Sequence, residues 1–246
     1  MKTKKPLMTI NEKMKEALVS ADELPYPIPE NWVWTRFGVC FRDRTSSNKK
    51  LPQKQYEEAG KYAVIDQGQQ LIGGYTNDAS LVFNGMLPVI VFGDHTRAVK
   101  WIDFDFVQGA DGVKVFQPEQ NLNAKFLYYW MRIIELPDKG YSRHSKFLRE
   151  TYVPLPPLPE QKKIVHHVES LFNKADDLEA QYKEAMELIE TLPEIIFTKA
   201  FRGELVPQDP NDEPAFGLLE RITFEKEKHE TAKVEGTNRK KHKQSV

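Results

Sequence analysis

Two short stretches concentrate the side chains able to do chemistry. In GDHTRAVKW, Asp94, His95, Thr96, Arg97 and Lys100 follow a glycine where a strand turns. Arg97 has the planar fork that takes a guanine edge bidentately or grips a phosphate, and Thr96 or His95 can donate to bases or backbone. A plainer reading is an Asp94–Arg97 ion pair that fixes the turn; in both readings Asp94 orients rather than reads. In YSRHSKFL, Tyr141, Ser142, Arg143, His144, Ser145 and Lys146 crowd donors beside aromatics. That composition suits phosphates and base edges, or a solvated loop that merely connects two elements. Arg143 and Lys146 are its strongest candidates. Gln67, Gln69 and Gln70 carry amides that match adenine edges, although loops also hold glutamines without function.

Other chemistries lack parts. His166 and His167 are adjacent, but neighbours on a helix point about 100° apart and no carboxylate or cysteine at ligand spacing completes a metal site, so they read as surface residues. The chain contains no GxxxxGK[ST], HExxH or GxSxG motif, and no NPPF-like segment of an adenine methyltransferase. The expectation is a protein without catalysis, metal or cofactor of its own. With 246 residues, 40% hydrophobic and 29% charged, the chain has ordinary globular composition. Its formal net charge of −1 means that any grip on a polyanion must come from local patches. Residues 36–150 hold 16 Lys and Arg against 13 Asp and Glu, too small a surplus to argue for nucleic acid by itself. The one cysteine, Cys40, excludes an internal disulfide and reads as a reduced, half-buried thiol. No segment approaches 18 consecutive apolar residues, and Lys2, Lys4 and Lys5 precede no apolar run, so a cytoplasmic location away from membranes is expected.

The elements that must position these residues are legible from periodicity. Thr9 and Glu12 have capping-box spacing for a short helix to about Val19, within a leader segment, 1–24. Pro25, Pro27 and Pro29 force extended chain before a first strand, Trp32 to Phe37. Strands are expected at Tyr62–Asp66, Leu87–Phe92, Thr96–Trp101, Phe104–Val107 and Val113–Phe116, the last two as a hairpin across GADG. The stretch from Gln67 to Ser80 reads as an irregular surface loop. Asn121 or Asn123 caps a helix to about Ile134, and Thr151 to Val153 is extended. Residues 25–155 therefore read as an α+β domain, a mixed, mostly antiparallel strand-rich head.

After Pro154, Pro156, Pro157 and Pro159 a long helix follows, 156–203. Its apolar residues Ile164, Val168, Leu171, Ala175, Leu178, Tyr182, Ala185, Ile189, Leu192 and Ile196 alternate steps of four and three. This is a coiled-coil seam that must be buried against another helix. Pro193 should kink or restart the helix, and Gly203 should stop it. Residues 204–224 read as a loop and a short helix opened by Pro214, and 225–246 as a disordered tail, basic from Arg239 to Lys243.

The run YSRHSKFLRETYVPLPPLPEQKKIVHHVESLFNKADDLEA, with AFRGELVPQDPNDEPA after the helix and IPENWVWTRFG near the start, resembles the specificity (S) subunit of type I restriction-modification enzymes. The resemblance spans about Leu24 to Ile222. It implies a target recognition domain that reads one half of a split double-stranded DNA site, and a helix that packs against its counterpart to hold two such domains apart. It also implies partners: methylation (M) subunits that use S-adenosylmethionine on adenine, and a restriction (R) subunit that uses ATP and Mg. Typical S subunits carry two recognition domains and two helices, whereas one of each is found here, without internal repeat. The expectation is a half-length form that pairs with a second copy, the alternative being a fragment of a longer chain. The DNA-contact candidates are then Gln67, Gln69, His95, Thr96, Arg97, Lys100, Ser142, Arg143, His144 and Lys146. The contrasting reading is a coiled-coil adaptor whose head binds protein.

Overall fold

A computed structural model describes residues 9–45, 50–137 and 142–242. Lys2, Lys4, Lys5, Tyr141 and Lys243 among the residues singled out above lie outside them. In chain order the elements are α1 (Ile10–Ala17), β1 (Val33–Arg36), α2 (Phe37–Cys40), β2 (Phe41–Asp43), β3 (Tyr62–Ile65), β4 (Gly74–Thr76), β5 (Val89–Gly93), β6 (Val99–Ile102), β7 (Phe106–Gln108), β8 (Val113–Pro118), α3 (Ala124–Ile133), α4 (Ser145–Arg149), β9 (Tyr152–Leu155), α5 (Leu158–Phe201) and α6 (Ala215–His242). The chain divides into two compact units, 1–175 and 176–246, with α5 running across the division.

The first unit is the mixed α+β head. Four strands in the order β2-β8-β5-β6 are antiparallel throughout, while a three-stranded sheet, β4-β3-β7, has one parallel pair, β3 with β7. Every residue of β5 is buried because both of its faces are covered. Ile90 and Phe92 pack with Phe37, Phe116, Leu127 and Trp130, whereas Val89 and Val91 pack with Ile65, Ile102 and Phe106 on the other side.

Local rules operate as expected at several termini. Thr9 accepts from the Glu12 amide at 3.3 Å while the Glu12 carboxylate accepts from the Thr9 amide at 2.8 Å. Asn123 caps α3 through a 3.0 Å bond from the Phe126 amide. At the end of α5, Gly203 takes φ 72°. Its amide bonds the Ala200 carbonyl and the Glu204 amide bonds the Lys199 carbonyl, the paired bonds that a left-handed glycine makes possible.

Five expectations are corrected. β7 and β8 form no hairpin: they lie in different sheets, and Asp111 and Gly112, both at positive φ, carry the chain from one to the other. The stretch from Gln67 to Ser80 is not wholly irregular, because Gly74–Thr76 pairs with β3 as β4. Cys40 is fully buried rather than half-buried, and burial, aided by Glu119, pushes its thiol up to about 12. Residues 225–242 are helical where a disordered tail was expected. The stretch EKEKHETAK is rich in straight-chain helix formers, which need no apolar face to favour a helix. The helix α5 also continues through Pro193 rather than restarting there.

The start of α5 is tied into the head by the segments on either side of the proline run. Trp32 Nε1 and Asn31 Nδ2 each donate to the Glu160 carboxylate at 3.1 Å. Buried Gln161 accepts from the Asn123 amide at 2.9 Å and donates to the Pro156 carbonyl at 2.8 Å, so one side chain joins the entry of α3 to the entry of α5. Replacing it by leucine leaves a half-buried amide and a buried carbonyl without this partner. The Gln161→Leu variant should lose about 2 to 4 kcal/mol of head stability, measured as the shift in urea unfolding followed by tryptophan fluorescence.

Candidate nucleic-acid interface

The turn between β5 and β6 is held closed by main-chain bonds between Gly93 and residues 97 and 98, each 2.8 Å. Arg97 sits at its tip at φ 59°, a left-handed backbone that arginine rarely adopts, and is exposed. Gly93 is required: a Cβ there would stand 2.8 Å from the Gln67 carbonyl oxygen. The Thr96 hydroxyl donates to that same Gln67 carbonyl, the His95 amide donates to the Gln67 side chain at 3.4 Å, and Gln69 Nε2 donates to the Thr96 carbonyl at 3.5 Å. The amide-bearing loop is thus laced to the turn.

The 142–146 segment joins the same surface from the other side. His95 Nδ1 lies 3.1 Å from the Ser142 carbonyl. Asp94, 2% exposed, accepts from the Ser145 amide at 2.8 Å through its carboxylate and from the His144 amide at 2.9 Å through its carbonyl. Lys114 of β8 stands 3.6 Å from the second carboxylate oxygen. Burial alone would raise the Asp94 carboxyl, but the bonds from Ser145 and the charges of Lys114 and His95 outweigh it and hold it below the usual carboxylate range. Asp94 is therefore an orienting group that pins the start of α4 to the turn.

The structure places the segments singled out in the sequence side by side but does not bring every candidate side chain to the surface. Thr96, Arg97, Gln69, Arg143 and Lys146 are exposed, and His95, Gln67 and Ser142 are half-buried. Two candidates are corrected. Lys100 is 4% exposed, with its ammonium donating to the Asp66 carbonyl at 2.8 Å and to the Asp66 carboxylate at 3.3 Å. Burial lowers its pKa against the pull of Asp66. On β6 it falls on the inward side of the strand alternation, which places it beneath the turn rather than on it. His144 is 1% exposed and its Nδ1 lies 3.1 Å from the Asp94 carbonyl, so it supports the loop from inside. The Asp94–Arg97 ion pair weighed above gives way to the Asp94–Lys114 pair, which no short-range pattern in the sequence could signal because β8 lies 20 residues away.

His166 and His167 are exposed, and among the described residues no group of three or more His, Cys, Asp or Glu could hold a metal ion. No helix of the described residues is long and apolar enough to cross a membrane. The seam is divided. Ile164 and Val168 are half-buried beside the head, whereas Leu171, Ala175, Leu178, Tyr182, Ala185, Ile189, Leu192 and Ile196 are exposed, Leu178 and Tyr182 at 65% each.

Residues 39–188, which include this whole surface and most of the seam, match the family described as "Type I restriction modification DNA specificity domain". The chain belongs to that family. Among curated relatives of this specificity-domain family, the EcoDI specificity subunit of Escherichia coli is 30% identical over 228 residues, covering 83% of this chain and 50% of its own length. The EcoBI specificity subunit of Escherichia coli is 40% identical over 89 residues, 33% of this chain and 19% of that one. The chain spans about half the length of the curated relatives it matches most extensively. The fold is shared with a chain from a structure of complex assembly and conformational transition of the type I R-M system, at TM-score 0.56 and 19% identity over 79% of this chain and 51% of that chain. It is also shared with the crystal structure of the HsdS subunit from Thermoanaerobacter tengcongensis, at TM-score 0.50 and 19% identity over 79% and 50% of the two chains.

The buried carboxylate gives this specificity domain a testable pH signature. Asp94→Asn should cost about 2 to 4 kcal/mol, since it weakens the pairing with Lys114 and the bond from the Ser145 amide. Because the folded carboxyl titrates below its unfolded value, the contribution is fully present above the unfolded carboxylate range and is lost as pH falls through the lower folded value. The stability gap between wild type and Asp94→Asn, from urea unfolding at each pH, should be constant between about pH 7 and 5 and close below about pH 4.

Proposed function

We propose that this chain is the DNA-reading subunit of a type I restriction-modification complex, with no catalysis of its own. The observation that carries the reading is the surface at one end of the head. There the β5–β6 turn, the Gln67–Gln70 loop and residues 142–146 are laced together while Arg97, Thr96, Gln69, Arg143 and Lys146 stay exposed. Arginine and amide side chains on a rigid turn are the groups that read base edges in a groove, and the neighbouring cations supply phosphate contacts that fix register. The family match over residues 39–188 supports DNA as the ligand.

In this reading the exposed seam of α5 pairs with that of a second copy, so that two heads are clamped at a set distance and read a two-fold symmetric, split site. The same helices dock methylation subunits, which supply S-adenosylmethionine chemistry on adenine, and a restriction subunit that uses ATP and Mg joins the assembly. The assignment of whole-complex partners rests on the relatives, which are specificity subunits.

Two measurements test this. In fluorescence-anisotropy titrations between about 50 and 200 mM salt, affinity for duplex DNA should fall steeply, and Arg97→Ala or Arg143→Ala should each reduce the slope of log affinity against log salt by about one. A salt-independent or absent DNA signal sinks the reading. Co-expression with a matching methylation subunit, followed by mapping of methyladenine, should return a split palindromic motif. Inserting one heptad into the exposed part of α5 should lengthen the gap and leave the half-sites unchanged; a variant that keeps the parental gap contradicts the spacer role.

A further inference from the structure

The amide-bearing loop and the Arg97 turn are carried by different sheets. The loop, residues 67–73, follows β3 in the three-stranded sheet, whereas the turn joins β5 to β6 in the four-stranded one. Reading bases with both requires a fixed separation between them, because a productive contact tolerates a displacement of only about 0.5 Å. The loop has little apolar burial to hold it in place. Gln67 and Gly68 are half-buried, and Gln69, Gln70 and Leu71 are exposed.

What holds the loop lies beneath it. Lys100 belongs to β6 and pairs with Val91 of β5, so its backbone is part of the four-stranded sheet. Its ammonium crosses to the end of β3, donating to the Asp66 carbonyl at 2.8 Å and to the Asp66 carboxylate at 3.3 Å. The same carboxylate accepts from the Gly68 amide at 2.9 Å. At the far end of the loop, Gly73 lies so close to this carboxylate that a Cβ there would overlap its oxygens, and the Gly73 amide bonds the Val64 carbonyl at 2.9 Å. Both ends of the loop therefore close on one carboxylate, and a cation from the strand that follows the Arg97 turn grips that carboxylate.

Stability alone gives no reason for an ion pair here. The Lys100 side chain is 4% exposed and that of Asp66 20%, and a pair buried to this degree is about neutral against well-packed apolar side chains of similar volume. What the pair supplies is direction: the ammonium has two oxygens to meet, one on the main chain of the loop's first anchor and one on its side chain. Above it, the Thr96 hydroxyl and the His95 amide bond Gln67, and Gln69 Nε2 bonds the Thr96 carbonyl, so a shift of the loop base moves the loop against the turn.

We propose that Lys100 is a positioning residue for base reading: without touching DNA, it ties the two sheets beneath the loop and the turn, so that Gln69 and Arg97 meet their base edges together. This role rests on the DNA-reading function proposed above and adds to its contact residues the group that sets their spacing.

Two duplexes of equal length and composition test it on the full chain, one holding the motif returned by methyladenine mapping and one with that motif shuffled. In Lys100→Met the ratio of the two affinities should fall about ten-fold or more. Affinity for the shuffled duplex should stay within about two-fold, and its salt slope should not change, because Lys100 neutralises no phosphate. In the DNA-free chain, amide hydrogen exchange over 67–73 should quicken about ten-fold while that of α3 is unchanged. If Lys100→Met loses its near-UV circular dichroism, Asp66→Asn with Lys100→Met takes its place under the same expectations, since it removes both charges and keeps an acceptor for the Gly68 amide. A folded variant that keeps the wild-type ratio, loses affinity for both duplexes equally, or exchanges over 67–73 at the wild-type rate overturns the role. So does failure of both variants to fold, which makes Lys100 a support of the whole head. A wild-type chain that does not distinguish the duplexes removes the DNA-reading function instead, and the exchange measurement still decides whether Lys100 holds the loop.

Discussion

The structure depends on one unmet demand: an apolar stripe on α5 that the described residues of its own chain leave exposed. In 176–201 every described side chain is exposed, and the stripe there includes Leu178, Tyr182, Ile189, Leu192 and Ile196. Leaving several large apolar side chains in water forfeits roughly 1.5 to 3 kcal/mol for each that could have been buried. That deficit is the physical reason for the second helix in the function proposed above. It also explains why the head invests in anchoring the first turns of α5 through Glu160 and Gln161. A helix that transmits position must not swivel where it leaves its domain.

The second constraint is the buried carboxylate of Asp94. A single charged group, satisfied by Lys114 and the Ser145 amide, ties β8, the β5–β6 turn and the start of α4 into one body. Burying a charge is unfavourable unless it is paired and hydrogen-bonded. Once paired, it is a more directional tie than apolar contact, because each oxygen has a fixed partner. The turn and the 142–146 segment are 45 or more residues apart in sequence and come from different elements, so such a tie is what lets them act as one surface. Arg97, at the tip, bonds the Gly93 carbonyl through its own amide, on a turn that Asp94 ties to α4 and β8.

The elements governed by local chemistry were legible in the sequence. Thr9 with Glu12, Asn123 and Gly203 each satisfy orphaned helix-end groups within a few residues, and the seam of α5 is a period that needs no tertiary context to be seen. What depended on distant partners was not. GADG reads as a hairpin turn because glycine permits one, yet β7 finds β3 and β8 finds β5, a choice set by sheet pairing that no local signal carries. Lys100 looked like a cation for DNA because lysine is rarely buried; only Asp66, 34 residues upstream, makes its burial tolerable. His144 misled for the same reason. The helix over 225–242 was missed because amphipathic periodicity was the criterion, and that stretch has helix propensity without a face.

In the function proposed above, these two constraints act at different scales and together divide the labour of a split-site reader. Side chains on a turn held by Asp94 decide what is contacted, and can be exchanged without touching the core beneath them. Under that proposal the seam decides how far apart two such turns are held, and can be lengthened in whole heptads without touching either turn. The connection between the two is the short stretch from Thr151 to Gln161, where β9 pairs with β1 and the Gln161 amide spans α3 and the proline run. A fault there leaves both the reading surface and the seam locally intact while uncoupling them. Loss of defined spacing with retained affinity for a half-site is therefore the physical signature that separates damage at this joint from damage at either end.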